Sequence, residues 1–269
     1  MAADPRRALV LVDQHTAGRE SIWRGVWAAI VRILSGASSR DHYTHATQAR
    51  AAREIADLVR VAQEATGDLT LEYLDAMLTE QDLRPPQRVE PIPQRPRQVD
   101  PVEEWLRPFE QFRVEYSRSQ DEQRARAASL LRAEQLADMD LALAQREAAR
   151  NHATAAPGVI GYRRVIHPEL SKYGQTCGLC LAASDRLYTT AELMPLHNGC
   201  NCTVAEVTSR DDVGAELNGL ALQDLYDAAG GTDRGLLQRV RYRVESHGEL
   251  GPVLVNAGHD FRGPDEVAA

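Results

Sequence analysis

Aromatic side chains are scarce: three Phe, three Trp and eight Tyr stand among 269 residues. Ala, Arg, Glu, Gln and Leu dominate the first half instead, a composition that predicts helix there. No long apolar run occurs. The stretch Val26-Trp27-Ala28-Ala29-Ile30-Val31, closed by Arg32, falls well short of the ~20 residues a membrane helix needs and has no cleavage site after it. It reads as helix core, and the chain is expected in a cytoplasm or in something assembled there. A positive charge excess is missing too. The formal net charge of -8 argues against nucleic acid as the main whole-surface partner, although a local basic site is compatible with it. There is no glycine-rich phosphate loop, no Gly-x-Ser-x-Gly elbow and no kinase motif, which removes the commonest nucleotide and acyl-transfer chemistries.

Cysteine is rare as well, but all four cysteines fall between residues 177 and 202. They form two pairs, Cys177-x-x-Cys180 and Cys200-x-Cys202, with His197 three residues ahead of the second. A tight turn at Gly178 would aim the first pair at one point. An extended Cys200-Asn201-Cys202 would put its two thiols on the same side, because side chains alternate along a strand. Sulfur and imidazole converging in this way suit tetrahedral Zn²⁺. Five candidates, Cys177, Cys180, His197, Cys200 and Cys202, compete for four positions. Disulfides are the first rival and fit poorly with a chain lacking a secretory signal, since cytosolic thiols stay reduced. A redox dithiol is the second; such a pair normally opens a helix after a strand, whereas a polar loop is expected here. The intervening loop, with Leu187-Tyr188 as a short strand and Thr190 capping an Ala191-Glu192-Leu193-Met194 turn, is too short to fold unaided. A metal would hold it.

Along the chain, the fold class predicted is α+β: an extended, mostly helical N-terminal half followed by a small zinc-stapled α+β domain. A helical region covers 1–83, with helices over 5–34, from Ser39 or Asp41 to Ala65, and from Leu69 to Leu78, Gly67-Asp68 separating the last two. Trp23 and Trp27, one turn apart, read as core. His42 and His45 share a helical face but have no acidic or sulfur companion, so they read as solvated surface. A linker covers 84–100. Six prolines lie between residues 84 and 101, and Arg84, Arg88, Arg95 and Arg97 make the stretch basic: a solvated spacer, or an arm along a neighbouring subunit or along phosphates.

Long helices cover 101–156 as a strut or bundle member. Asp100 and Pro101 make a favourable start, Pro108 is a candidate kink, and the charges on 119–152 read as a solvated face. The zinc-binding domain covers 157–255, with strands at 159–166 and 202–207, helices at 220–229 and 234–244, and a turn and strand over 247–254. His167 reads as a strand end. A loose tail covers 256–269.

From Tyr162-Arg163-Arg164, through both cysteine pairs, to the Leu193-Met194-Pro195-Leu196-His197 approach, the sequence resembles the MuF-like minor capsid proteins, the head morphogenesis proteins of tailed bacteriophages. That family shows Cys-x-x-Cys, a turn with a short acidic helix, and then Pro-His-x-x-Cys-x-Cys running into a strand. Asp185-Arg186 stands near the turn, Ala191-Glu192-Leu193 makes the helix, and His197-Asn198-Gly199-Cys200-Asn201-Cys202 closes the motif. Asn198 and Asn201 depart from a commoner proline and arginine without removing a candidate ligand. The resemblance is specific over about 159–207 and extends loosely to Gly248-Glu249-Leu250-Gly251-Pro252. It implies a virion component inside the phage head near the portal, present in host cytoplasm during assembly, with the portal and major capsid proteins as partners. It further implies a role in head assembly, DNA packaging or ejection; the residues themselves point to structural Zn²⁺ and no membrane, with the basic linker as a candidate contact for packaged DNA.

The enzymatic alternative is a zinc-dependent nuclease or deaminase, or a DNA-binding module. A deaminase would use His167 as ligand, Glu169 as proton shuttle and Cys177 with Cys180 as thiolates, leaving Cys200 and Cys202 without a role. A nuclease built on His197 would need a second, oxygen-liganded metal, and no Asp/Glu/Asn partner is evident. The reading carried forward is therefore a structural protein with no catalytic residues.

Overall fold

Three of the four long helices start on an aspartate whose side chain accepts from the free amides of the first turn. Asp4 accepts from Arg6, Asp100 from Val102, and Asp121 from Gln123 and Arg124. The computed structural model describes residues 4–92, 96–167, 170, 178–184, 186–197, 199–219 and 242–256. Within them, α1 spans Pro5–Gly36, α2 His45–Glu80, α3 Pro101–Ser119 and α4 Glu122–Ala155, with a 3₁₀ turn at Asp41–Tyr43. The strands are β1 (Val159–Val165), β2 (Leu187–Thr189), β3 (Thr203–Thr208), β4 (Tyr242–His247) and β5 (Gly251–Asn256), and a short α5 spans Gly178–Ala183. The class is α+β, as expected.

The helical half is packed rather than extended, since α2 and α4 each lie against the other three long helices. The glycine expected to separate two helices lies inside α2. Ile55, Val59, Ala62, Thr66, Thr70, Tyr73 and Met77 are all buried at three- and four-residue spacing across it. One glycine costs only about 1 kcal/mol in a helix interior, less than that stripe gains by staying continuous. His42 is also corrected. It is buried and stacked on Phe112 with ring centroids 3.7 Å apart, while His45 is exposed.

Helix α4 is the central element, in contact with α1, α2, α3, β1 and β3. Its charges form a solvated face only at the start, where Glu122 and Arg124 are exposed; further on Asp140, Arg146, Glu147 and His152, with Gln145, are all buried. Covered on every side, these groups must find partners within the protein. Arg146 donates to the carbonyls of Leu250 (2.8 Å) and Pro252 (3.3 Å), and His152 bonds Glu206 (2.7 Å) and Asp75 (2.9 Å).

The linker is strapped to the body. Asn151 donates to the carbonyls of Glu90 and Pro91, and Gln98 N–H to that of Glu249. Arg97, expected in solvent, is buried between Glu104 and Asp140. Arg84 and Arg88 remain exposed, and Arg95 lies outside the described residues.

The three-stranded sheet is antiparallel, in order β2-β1-β3, with Tyr162 opposite Tyr188 and Arg164 opposite Val204. Gly161 permits the close approach of β2, because a Cβ there would lie 2.4 Å from the Tyr188 carbonyl oxygen. Strands β4 and β5 make a separate antiparallel hairpin. The helix expected over 234–244 is corrected at its end, since Tyr242 opens β4 and Val244 is largely exposed on it. The remainder of that helix, the one expected at 220–229 and the tail from 257 lie outside the described residues.

One hydrophobic cluster draws on Ala8 and Val12 of α1, Tyr73 to Met77 of α2, Leu143 to Ala153 of α4, the sheet, and Cys180, Cys200 and Cys202. A second fills the far end of the bundle around Ile30, Ile55 and Trp105. Trp23 and Trp27, stacked at 5.9 Å, pack against it.

Candidate metal centre

Three consecutive residues of β1 organise the surroundings of the cysteines. Because strand side chains alternate, Tyr162 and Arg164 share one face and Arg163 takes the other. The Tyr162 hydroxyl donates to the Glu192 carbonyl and accepts from Met194 N–H (2.9 Å), pinning the loop between the cysteine pairs. Arg163 makes a forked ion pair with Asp212. Arg164 points into the sulfur cluster.

The ligand-bearing segments arrive from separate directions. Cys180 sits on α5, a short helix where the sequence predicted a tight turn at Gly178. Leu196, just before His197, bridges to Val253 of β5 through two backbone hydrogen bonds, so the hairpin holds the histidine. A turn closed from Cys200 N–H to the His197 carbonyl (3.1 Å) follows, with Gly199 at φ +73, a conformation glycine adopts at little cost. Gln145 of α4 donates to the Cys202 carbonyl at 3.1 Å, and Arg19 of α1 reaches Gln145 (2.6 Å) and Asn201 (3.4 Å).

The result is a convergence of donors. One ligand atom each from Cys180, His197 and Cys200 lies within 4.8 Å of the other two. Cys180 Sγ is 3.9 Å from Cys200 Sγ and 2.9 Å from His197 Nε2. A zinc tetrahedron has S–S edges of about 3.8 Å and S–N edges of about 3.5 Å, from Zn–S near 2.3 Å and Zn–N near 2.0 Å. The sulfur edge already fits. The sulfur–nitrogen edge has the length of a hydrogen bond and would open by about half an ångström around a cation. At 3.9 Å the sulfurs are also far from the ~2.05 Å of a disulfide, and no two described cysteines are joined by one.

Cys202, also buried, stands beside this set and is not one of the three residues whose ligand atoms all lie within 4.8 Å of one another. Hydrogen bonds from Cys180 and Cys202, with the Arg164 charge, hold the Cys200 thiol well below its usual range. The bond with Cys180 lowers Cys202, but the bond to Cys200 and burial outweigh it and push Cys202 up. Of the five sequence candidates, four are thus together, and Cys177 lies outside the described residues.

Among the described residues the donor set is two or three thiols with one imidazole and no carboxylate, which suits Zn²⁺. Comparison with protein-family models, with curated proteins and with solved structures finds no match. No described helix is long and apolar enough to cross a membrane.

Arg164 and Gln145 are the site residues that sequence reasoning missed as such. Arg164 belongs to the motif already singled out, but nothing in its spacing marks it as facing sulfur. His167 lies outside the cluster, its Nε2 3.1 Å from Thr203 Oγ1.

Proposed function

We propose that the chain is a structural, zinc-stapled protein of the MuF-like minor capsid type, associated with the portal inside the head of a tailed phage. In this reading it supports head assembly, DNA packaging or ejection. It performs no chemistry of its own, and its metal would be held by four of Cys177, Cys180, His197, Cys200 and Cys202. The observation that carries the structural half is burial. Cys180 and Cys200 are 3% and 6% exposed, and the guanidinium of Arg164 fills the space beside them. A catalytic zinc keeps one position open to water and a base next to it. Here sulfur, imidazole and guanidinium converge instead, and a deaminase-like arrangement would need His167, which bonds Thr203. The phage half rests on the motif resemblance over 159–207.

Two measurements test the halves separately. Metal analysis of reduced protein, combined with nuclease and deaminase assays, should return one zinc per chain and no turnover; zinc-dependent turnover lost in His197→Ala would contradict the structural reading. Co-expression with the portal subunit of the same phage should yield a ring carrying this chain, and rings that purify without it would contradict the assembly role.

A further inference from the structure

Arg164 is wholly buried, and its two terminal nitrogens, not Nε, donate into the metal centre. Nη1 lies 3.3 Å from Cys200 Sγ and 3.6 Å from Cys180 Sγ, and Nη2 donates to the Pro195 carbonyl. Among the described residues no carboxylate forms an ion pair with it, so the negative charge it meets is that of sulfur. A guanidinium taken out of water costs several kcal/mol unless an anion faces it, and a cluster of thiolates around a cation is such an anion. Each group it contacts belongs to a ligand-bearing segment: Cys180 on α5, Cys200 after the turn, and Pro195 two residues ahead of His197.

We propose that Arg164 is the positioning residue of the metal centre and sets the reactivity of its metal-bound thiolates. The proposal deepens the metal reading above and rests on it. Charge arithmetic gives the first reason. With Cys202 as a third thiolate beside Cys180, Cys200 and His197, a divalent cation carries a net charge of -1, and the buried guanidinium brings the site to neutrality. Geometry gives the second. A planar fork can serve two sulfurs and a carbonyl at once, which a lysine point charge cannot. Chemistry gives the third: an N–H pointing at a thiolate withdraws electron density from it, making the sulfur a weaker nucleophile while it stays bound to metal. The centre would then resist electrophiles that strip metal from more open thiolate sites.

The test uses the full chain as wild type, Arg164→Lys and Arg164→Met, reduced and loaded with one equivalent of Zn²⁺ or Co²⁺. Three quantities are read: metal per chain, the sulfur-to-cobalt charge-transfer band, and the rate at which N-ethylmaleimide releases zinc to a chromogenic chelator. In loaded Arg164→Met, release should be about 10-fold faster or more, and the cobalt band should move to lower energy as sulfur loses its donors. Arg164→Lys, which keeps the charge, should fall between the two. A strut that merely supported Pro195 would leave the band in place. Unchanged band and release in loaded Arg164→Met would overturn the proposal. If that variant does not fold, Arg164→Lys decides: a band and release rate equal to wild type overturn it, and a shift in both supports it. Wild-type protein that binds no metal would instead sink the metal reading, a distinguishable failure.

Discussion

Among the described residues, Cys200 lies 3.9 Å from Cys180 Sγ, shares one cluster with His197 and faces Arg164. Cys200→Ser should therefore abolish stoichiometric metal binding, read as metal per chain after gel filtration. At Gly161 the argument is steric. An added methyl would meet the Tyr188 carbonyl oxygen, so Gly161→Ala should cost about 1–3 kcal/mol in urea unfolding and loosen β2. Buried imidazoles set the pH response. Burial alone would lower His152, but hydrogen bonds and charge from Glu206 and Asp75 outweigh it and raise it above 6.5. The stability it contributes is complete below 6.5 and is lost as pH rises through the higher folded value. His15 is the opposite case, lowered by burial to about 3, so its contribution is present above 6.5 and is lost as pH falls toward 3. Urea midpoints should thus decline on both sides of mildly acidic pH, and His152→Gln should flatten the alkaline decline. At this scale the convergence of Cys180, His197 and Cys200 was legible, because ligand spacing is a local property. The burial of His42 was not, because Phe112, which covers it, lies 70 residues away in sequence.

At the scale of elements, the helices were legible where caps and apolar stripes agreed, as at Asp100-Pro101. They were misjudged where burial overrode a local signal. Gly67 carries a breaker's propensity, yet the stripe from Ile55 to Met77 runs through it. The charges of α4 from Asp140 to His152 look solvent-facing in sequence, and only the three-dimensional arrangement shows that helices and sheet enclose them. The linker shows the same physics. Its composition predicts an extended, solvated stretch, but Arg97 is drawn in by Glu104, 7 residues further on, and by Asp140, 43 residues further on. Replacing Arg97 by Leu would leave two carboxylates buried without their cation and should cost about 3–5 kcal/mol in chemical denaturation. A cost below about 1 kcal/mol would mean that the linker is not docked in solution.

At the scale of the whole molecule, a chain of contacts runs from the linker to the metal centre. Arg97 and Arg107 hold Glu249 at the hairpin turn, Arg146 holds the carbonyls of Leu250 and Pro252, and β5 pairs with Leu196 beside His197. Because the cluster containing the cysteines also contains Ala8, Val12 and Met77, thermal unfolding should be a single transition, lowered as a whole by a zinc chelator. Two separated transitions, with only one sensitive to chelator, would show the halves to be independent. The claim on which all of this depends is that sulfur and imidazole share one metal ion. X-ray absorption at the zinc edge of protein purified under reducing conditions tests it most directly. The account predicts one zinc per chain in a four-coordinate shell, with sulfur near 2.3 Å and at least one nitrogen near 2.0 Å. A shell of oxygen alone, or protein that is folded and free of metal, would contradict it.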